Sequence, residues 1–127
     1  MTLMRIRLEL ARTEDYPQGD AGQGYDFIVP LNSAGHIDAN EWRKSRSACT
    51  VRQFEAGFVV RQGLVRHVGH GWRFDYDHLS QQDDEAFFKL DRHVLAPGQY
   101  VSIKEPGGQM RPYRVVSVQL VTEEIAQ

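Results

Sequence analysis

A chain of 127 residues, 41% apolar and 25% charged, has the composition of one ordinary globular domain with enough length to bury one core, which excludes a wholly disordered chain. No apolar run approaches the ~20 residues that a spanning helix needs, so no membrane role is expected. A net charge of −2 excludes a uniformly basic or acidic molecule, and the lone cysteine, Cys49, excludes an internal disulfide and a cysteine-rich zinc cage.

Along the chain, apolar residues at Met4, Ile6, Leu8 and Leu10 alternate with Arg5, Arg7 and Glu9, the period of a half-buried strand. Thr13 to Gly24, with Pro17 and three glycines, reads as a loop, long enough for a functional or mobile segment. Tyr25 to Leu31 reads as a second strand, closed by the turn residues Asn32 to Gly35. Asp38 followed three positions later by Glu41 is a capping-box-like pair that opens one short helix near residues 39–45.

The middle reads as a meander of Cys49 to Phe54, Phe58 to Arg61, Leu64 to Val68 and Trp72 to Asp77, with breaks at Ala56-Gly57, Gln62-Gly63 and Gly69 to Gly71. In its last strand Trp72, Phe74 and Tyr76 share one face, and Arg73, Asp75 and Asp77 the other. Ser80 to Glu85 is a polar loop, and Phe87 to Leu95 fits either a strand or a short helical turn. Tyr100 to Glu105 and Met110 to Val121 form a final hairpin around Pro106 to Gln109. The fold class is therefore mainly β, a small antiparallel barrel or sandwich of seven or eight strands spanning residues 1–127 as a single domain.

Charge is unevenly placed. Trp42 to Arg73 holds Arg43, Lys44, Arg46, Arg52, Arg61, Arg66 and Arg73 against Glu55 alone; Phe74 to Asp91 reverses the sign, with Asp75, Asp77, Asp83, Asp84, Glu85 and Asp91 against Lys89. Strand arginines interleaved with Phe54, Phe58, Trp72 and Phe74 are what a barrel needs to present a nucleic-acid face. His67 and His70, with His78, His93, His36 or Cys49, have a loose metal-site spacing, but beside hairpin glycines they read as tolerated surface histidines. Cys49, at a strand start next to Val51, reads as a small buried apolar residue rather than a nucleophile. The carboxylates of Asp75, Asp77, Asp83 and Asp84 read as a solvated strand face and an acidic loop.

Pro97-Gly98-Gln99-Tyr100-Val101, followed by Arg111-Pro112-Tyr113, resembles the flavin-binding barrel of ferredoxin-reductase-type flavoproteins over about 23 residues. The resemblance implies that Arg111 holds a cofactor phosphate and that the Tyr113 ring packs on the flavin. Arg114 stands where that family places a serine.

The sequence reading is a non-catalytic binding module, cytoplasmic because Met1 to Asp15 lacks the continuous apolar run of a secretory signal. Its basic face, Arg52, Arg61, Arg66 and Arg73 with the Trp42 to Lys44 helix beside it, would bind a nucleic acid or an acidic protein partner. The alternatives are a flavin- or nucleotide-binding domain acting through Arg111 and Tyr113, and a structural or accessory subunit whose charge asymmetry marks an assembly surface, a homo-oligomer included. The reading assigns no catalytic residue, cofactor or metal.

Overall fold

In a computed structural model that describes residues 2–69, 71–76, 85–87, 94–105 and 108–121, eight antiparallel strands follow one another around a closed barrel. They are β1 Leu3–Leu10, β2 Asp20–Pro30, β3 Thr50–Glu55, β4 Phe58–Val68, β5 Gly71–Tyr76, β6 Glu85–Phe87, β7 Tyr100–Lys104 and β8 Met110–Leu120. Each strand pairs with the next, and β8 returns to β1 with Met4 opposite Leu120 and Leu10 opposite Tyr113. Of barrel and sandwich, the pairing of the described residues selects the barrel. The ring is narrowest at β6, held by three residue pairs to β5 and two to β7.

Alternation decides which side chains fill the barrel. Ile6, Leu8 and Leu10 of β1, Tyr25, Phe27 and Val29 of β2, Trp72, Phe74 and Tyr76 of β5, and Tyr113 and Val115 of β8 are all buried. Their rings form a continuous stack through the interior: Tyr25 lies 5.0 Å from Phe74 and 5.1 Å from Tyr113, and Phe27 lies 5.4 Å from Phe74. An eight-stranded barrel has room either for its own side chains or for one small ligand. Here the aromatic rings take that space. Each fully buried side chain of this size contributes about 1.5–3 kcal/mol.

The one α-helix among the described residues, α1 Ala39–Lys44, lies at one end of the barrel and is followed by a 3-10 turn at Arg46–Ala48. It starts where the Asp38 carboxylate accepts from the Glu41 amide at 3.1 Å, while the Glu41 carboxylate turns to Lys44 at 3.5 Å instead of completing the box. Asp38 N–H donates to the Pro30 carbonyl, fixing the helix under the end of β2. From there Trp42 reaches across to β4 and β5: its Nε1–H donates to the Val65 carbonyl at 2.9 Å, and its ring meets Trp72 edge-on at 5.5 Å.

Three boundaries differ from the sequence reading. β2 begins at Asp20 rather than Tyr25, so the preceding connection covers only residues 11–19. Gln62-Gly63 is no break: β4 runs through it, because a Cβ on Gly63 would sit 2.1 Å from the Asp75 carbonyl oxygen, and only glycine lets β4 and β5 approach so closely there. Of the ambiguous stretch from Phe87 to Leu95, Phe87 ends β6, Leu95 is buried in coil, and 88–93 lie outside the described residues.

Candidate functional site

Strand parity separates the four arginines of the predicted basic face. Arg52, Arg66 and Arg73 project from the outer wall on three adjacent strands, but Arg61, five residues before Arg66, faces inward with its guanidinium carbon 4.8 Å over the Tyr76 ring. On the outer wall Arg52 lies 3.9 Å from Asp26, a carboxylate it shares with Arg5, and Arg66 binds Asp75 at 2.7 Å. That pairing relieves the repulsion between Arg66 and Arg73, which stand directly opposite each other.

Of the aromatics expected to interleave with these cations, Phe58 at the start of β4 is 74% exposed, and the other three are buried. Trp72 and Phe74 lie in the core. Phe54 is buried on the outer wall, in the gap left by Gly24, with the Arg7 guanidinium 4.2 Å over its ring.

The residues of the flavoprotein resemblance are tied into a polar network at the opposite end of the barrel from α1. Tyr113 OH donates to Glu105 Oε2 at 2.8 Å, and Arg111 lies 3.5 Å from the same oxygen. Arg111 also donates to Gln23 Oε1 at 3.3 Å, and Gln23 Nε2 donates to Asp20 Oδ2 at 3.0 Å. The Tyr113 ring is packed against Tyr25 inside the barrel. The ring is 2% exposed, and the Arg111 guanidinium lies beside a carboxylate.

Arg114, three residues beyond Arg111, falls on the outer face. Together with Glu9, Leu10, Ala11, Arg12, Gln18, Asp20, Ala21 and Tyr100 it lines a groove of about 570 Å³ beneath the 11–19 connection. The ends of that connection are fixed: Ala11 N–H donates to the Pro112 carbonyl, and Gly19 N–H donates to the Tyr16 carbonyl. Gly19 adopts φ +76, where a Cβ would lie 2.6 Å from the Leu10 carbonyl oxygen, so glycine is what allows the loop to fold back here. The fold-back leaves Arg12, Gln18 and Asp20 lining one groove.

On the other side of the groove, Ala96 to Gln99 form a turn with Pro97 second and Gly98 third at φ +93, the geometry of a type II turn. Gly98 N–H and the Gln99 carbonyl both bond Val115, which presents Tyr100 directly opposite Arg114.

Charge satisfaction in the groove is one-sided. Glu9 stands opposite Arg114, yet its Oε2 is taken by Arg7 Nε at 2.9 Å. Asp20 accepts from the Gly22 amide at 2.8 Å through one oxygen and from Gln23 through the other. The hydrogen bond from Gln23, then that from Gly22, with the nearby Arg111 charge, holds the Asp20 carboxyl below its ordinary range, so it stays ionised. Neither Arg12 nor Arg114 has a carboxylate within ion-pair distance among the described residues.

No family model, curated protein or solved structure matches this chain. Its chemistry rests on its own geometry.

Two further candidates can be placed. Cys49 is wholly buried, and burial pushes its thiol up to about 11, the opposite of an activated nucleophile. His67 stacks on Trp72 at 4.3 Å rather than standing on the surface; His70, His78 and His93, like Asp77, Asp83 and Asp84, lie outside the described residues. Among the described residues no group of three His, Cys, Asp or Glu side chains could hold a metal.

The sequence pointed to Arg111 and missed Arg12, Gln18, Asp20 and Arg114. Two signals were available: the odd spacing from Arg111 to Arg114, which puts them on opposite faces of one strand, and the long Gly- and Pro-containing loop.

Proposed function

We propose that this protein is a non-catalytic binding module that takes the anionic group of a small ligand into the groove between the 11–19 connection and the outer faces of β1, β8 and β7. One observation carries the reading. Two guanidiniums, Arg12 and Arg114, converge on a concave site whose own carboxylates are already engaged by Arg7, Gln23 and Gly22. Guanidinium forks bind phosphate and carboxylate oxygens in pairs, and a groove of this volume falls within the roughly 300–1,000 Å³ of small-ligand sites.

A second reading keeps the outer wall of β3 to β5, where Arg52, Arg66 and Arg73 flank the exposed apolar residues Leu64 and Val68. Mixed basic and apolar chemistry of this kind suits an acidic protein surface better than a nucleic acid, because Trp72 and Phe74 of β5 are buried in the core and offer no stacking face.

Titration with inorganic phosphate, followed by the side-chain Nε–Hε resonances of the arginines, tests the first reading. Arg12 and Arg114 should shift together and saturate in the low-millimolar range, and Arg114→Gln should weaken binding about ten-fold, a loss of ~1.4 kcal/mol. Arg66→Gln should leave the titration unchanged. Absence of saturation, or affinity as high as the parent's in both Arg12→Gln and Arg114→Gln, would remove the groove reading; dependence on Arg66 instead would move the site to the outer wall of β3 to β5.

A further inference from the structure

The groove reading leaves open what carries the anion, and the Tyr100 side of the site answers that. Tyr100 is 60% exposed although it lies on a paired strand beside Arg114. An aromatic ring standing this far into solvent offers a flat apolar face that no described ring contact of the protein uses, since the ring contacts of this barrel lie among interior and α1 residues. Its position is rigidly set, because the type II turn before it is bonded on both sides to Val115.

Tyr100 of β7, Arg114 of β8 and Glu9 of β1 are successive cross-strand neighbours on one outer face. With about 4.8 Å between adjacent strands, they set out a stacking face, a cation and a carboxylate over roughly 10 Å. Arg12 and Gln18 overhang this row from the connection.

We infer that the ligand is a nucleoside monophosphate, a planar base joined through a sugar to a phosphate, with the base against Tyr100 and the phosphate between Arg12 and Arg114. This rests on the groove reading. A flat ring can stack on the tyrosine without base-specific contacts, so the class and not one particular base is assigned. The order of the row gives its direction: the ring lies on one side of Arg114 and the Glu9 carboxylate on the other, so a base tethered to a phosphate at Arg114 extends toward Tyr100. A free inorganic anion would use only Arg12 and Arg114 and leave Tyr100 idle.

The experiment compares AMP, ribose 5-phosphate and adenosine on the whole chain by calorimetry and amide chemical shifts. AMP should bind about ten-fold more tightly than ribose 5-phosphate, and adenosine more weakly than either. Tyr100→Ala should bring AMP down to the ribose 5-phosphate level, whereas Tyr100→Phe, which keeps the ring, should retain the difference. Tyr100 is solvent-exposed, and an unchanged thermal midpoint confirms that each variant folds. If ribose 5-phosphate binds as tightly as AMP and both need Arg114, the anion groove stands and the ring assignment fails. Should neither phosphate bind, the groove reading fails with it.

Discussion

Replacing Tyr113 by phenylalanine separates a structural tyrosine from a ligand-contacting one. The ring stays, so the stack with Tyr25 inside the barrel is kept, and the change removes only the hydroxyl that donates to Glu105 at 2.8 Å. A hydrogen bond to a charged acceptor contributes about 1.5–3 kcal/mol. Glu105 also has Arg111 at 3.5 Å and its side chain is 17% exposed, so it is not stranded when the hydroxyl leaves. The expected loss is thus at the lower end, about 1–2 kcal/mol, which for a urea slope near 2 kcal/mol per molar lowers the unfolding midpoint by roughly 0.5–1 M. Urea titration read by the fluorescence of buried Trp42 and Trp72 measures this, and phosphate binding in the folded variant should match the parent. A double-mutant cycle with Glu105→Gln should return a coupling of about 1 kcal/mol. The reasoning is refuted if Tyr113→Phe leaves the midpoint in place, or if it weakens phosphate binding without lowering stability, the pattern expected of a hydroxyl that contacts a ligand.

Gly63→Ala forces a Cβ onto backbone atoms, with the Asp75 carbonyl oxygen 2.1 Å and the Tyr76 Cα 2.5 Å away, so β4 and β5 must part and stability should fall by about 2–4 kcal/mol. Gly57→Ala, with open space around it and only an unfavourable φ of +84, should cost about 1 kcal/mol; equal losses in a urea comparison would show that the close approach is not what fixes Gly63. Cys49 predicts an alkaline loss of stability. Its folded value is about 11 against an ordinary 9.0, so the thiol is neutral in both states below pH 9, and above it the unfolded chain ionises first. Relative to Cys49→Ala, the parent should therefore lose up to ~2.7 kcal/mol between pH 9 and pH 11, read by thermal midpoints, and flat pH dependence of that difference would contradict a buried thiol.

Much of this fold was legible one residue at a time. Strict alternation in Met4 to Leu10 and Trp72 to Tyr76 declared both the strand and its inward face, since period-two burial is a local property of an extended chain. The Asp38 and Glu41 pair located the helix, because a cap is a short-range hydrogen-bond problem. Strand parity also held the key to the arginines: Arg61 and Arg66, or Arg111 and Arg114, differ by an odd number and cannot share a face of a regular strand.

What only the tertiary structure decided is everything that depends on closure and register. Gly63 reads as punctuation in the sequence, yet its role is set by the distance between two strands. β8 pairs with β1 across nearly the whole chain, and that contact, together with the fold-back at Gly19, brings Arg12 to Arg114 and Tyr100. Tyr113 and Arg111 find Glu105 and Gln23 before they could find a ligand, an outcome fixed by which neighbours the barrel supplies. Local pattern specifies which way a side chain points; only the closed sheet specifies what it meets, because the partners come from strands distant in sequence.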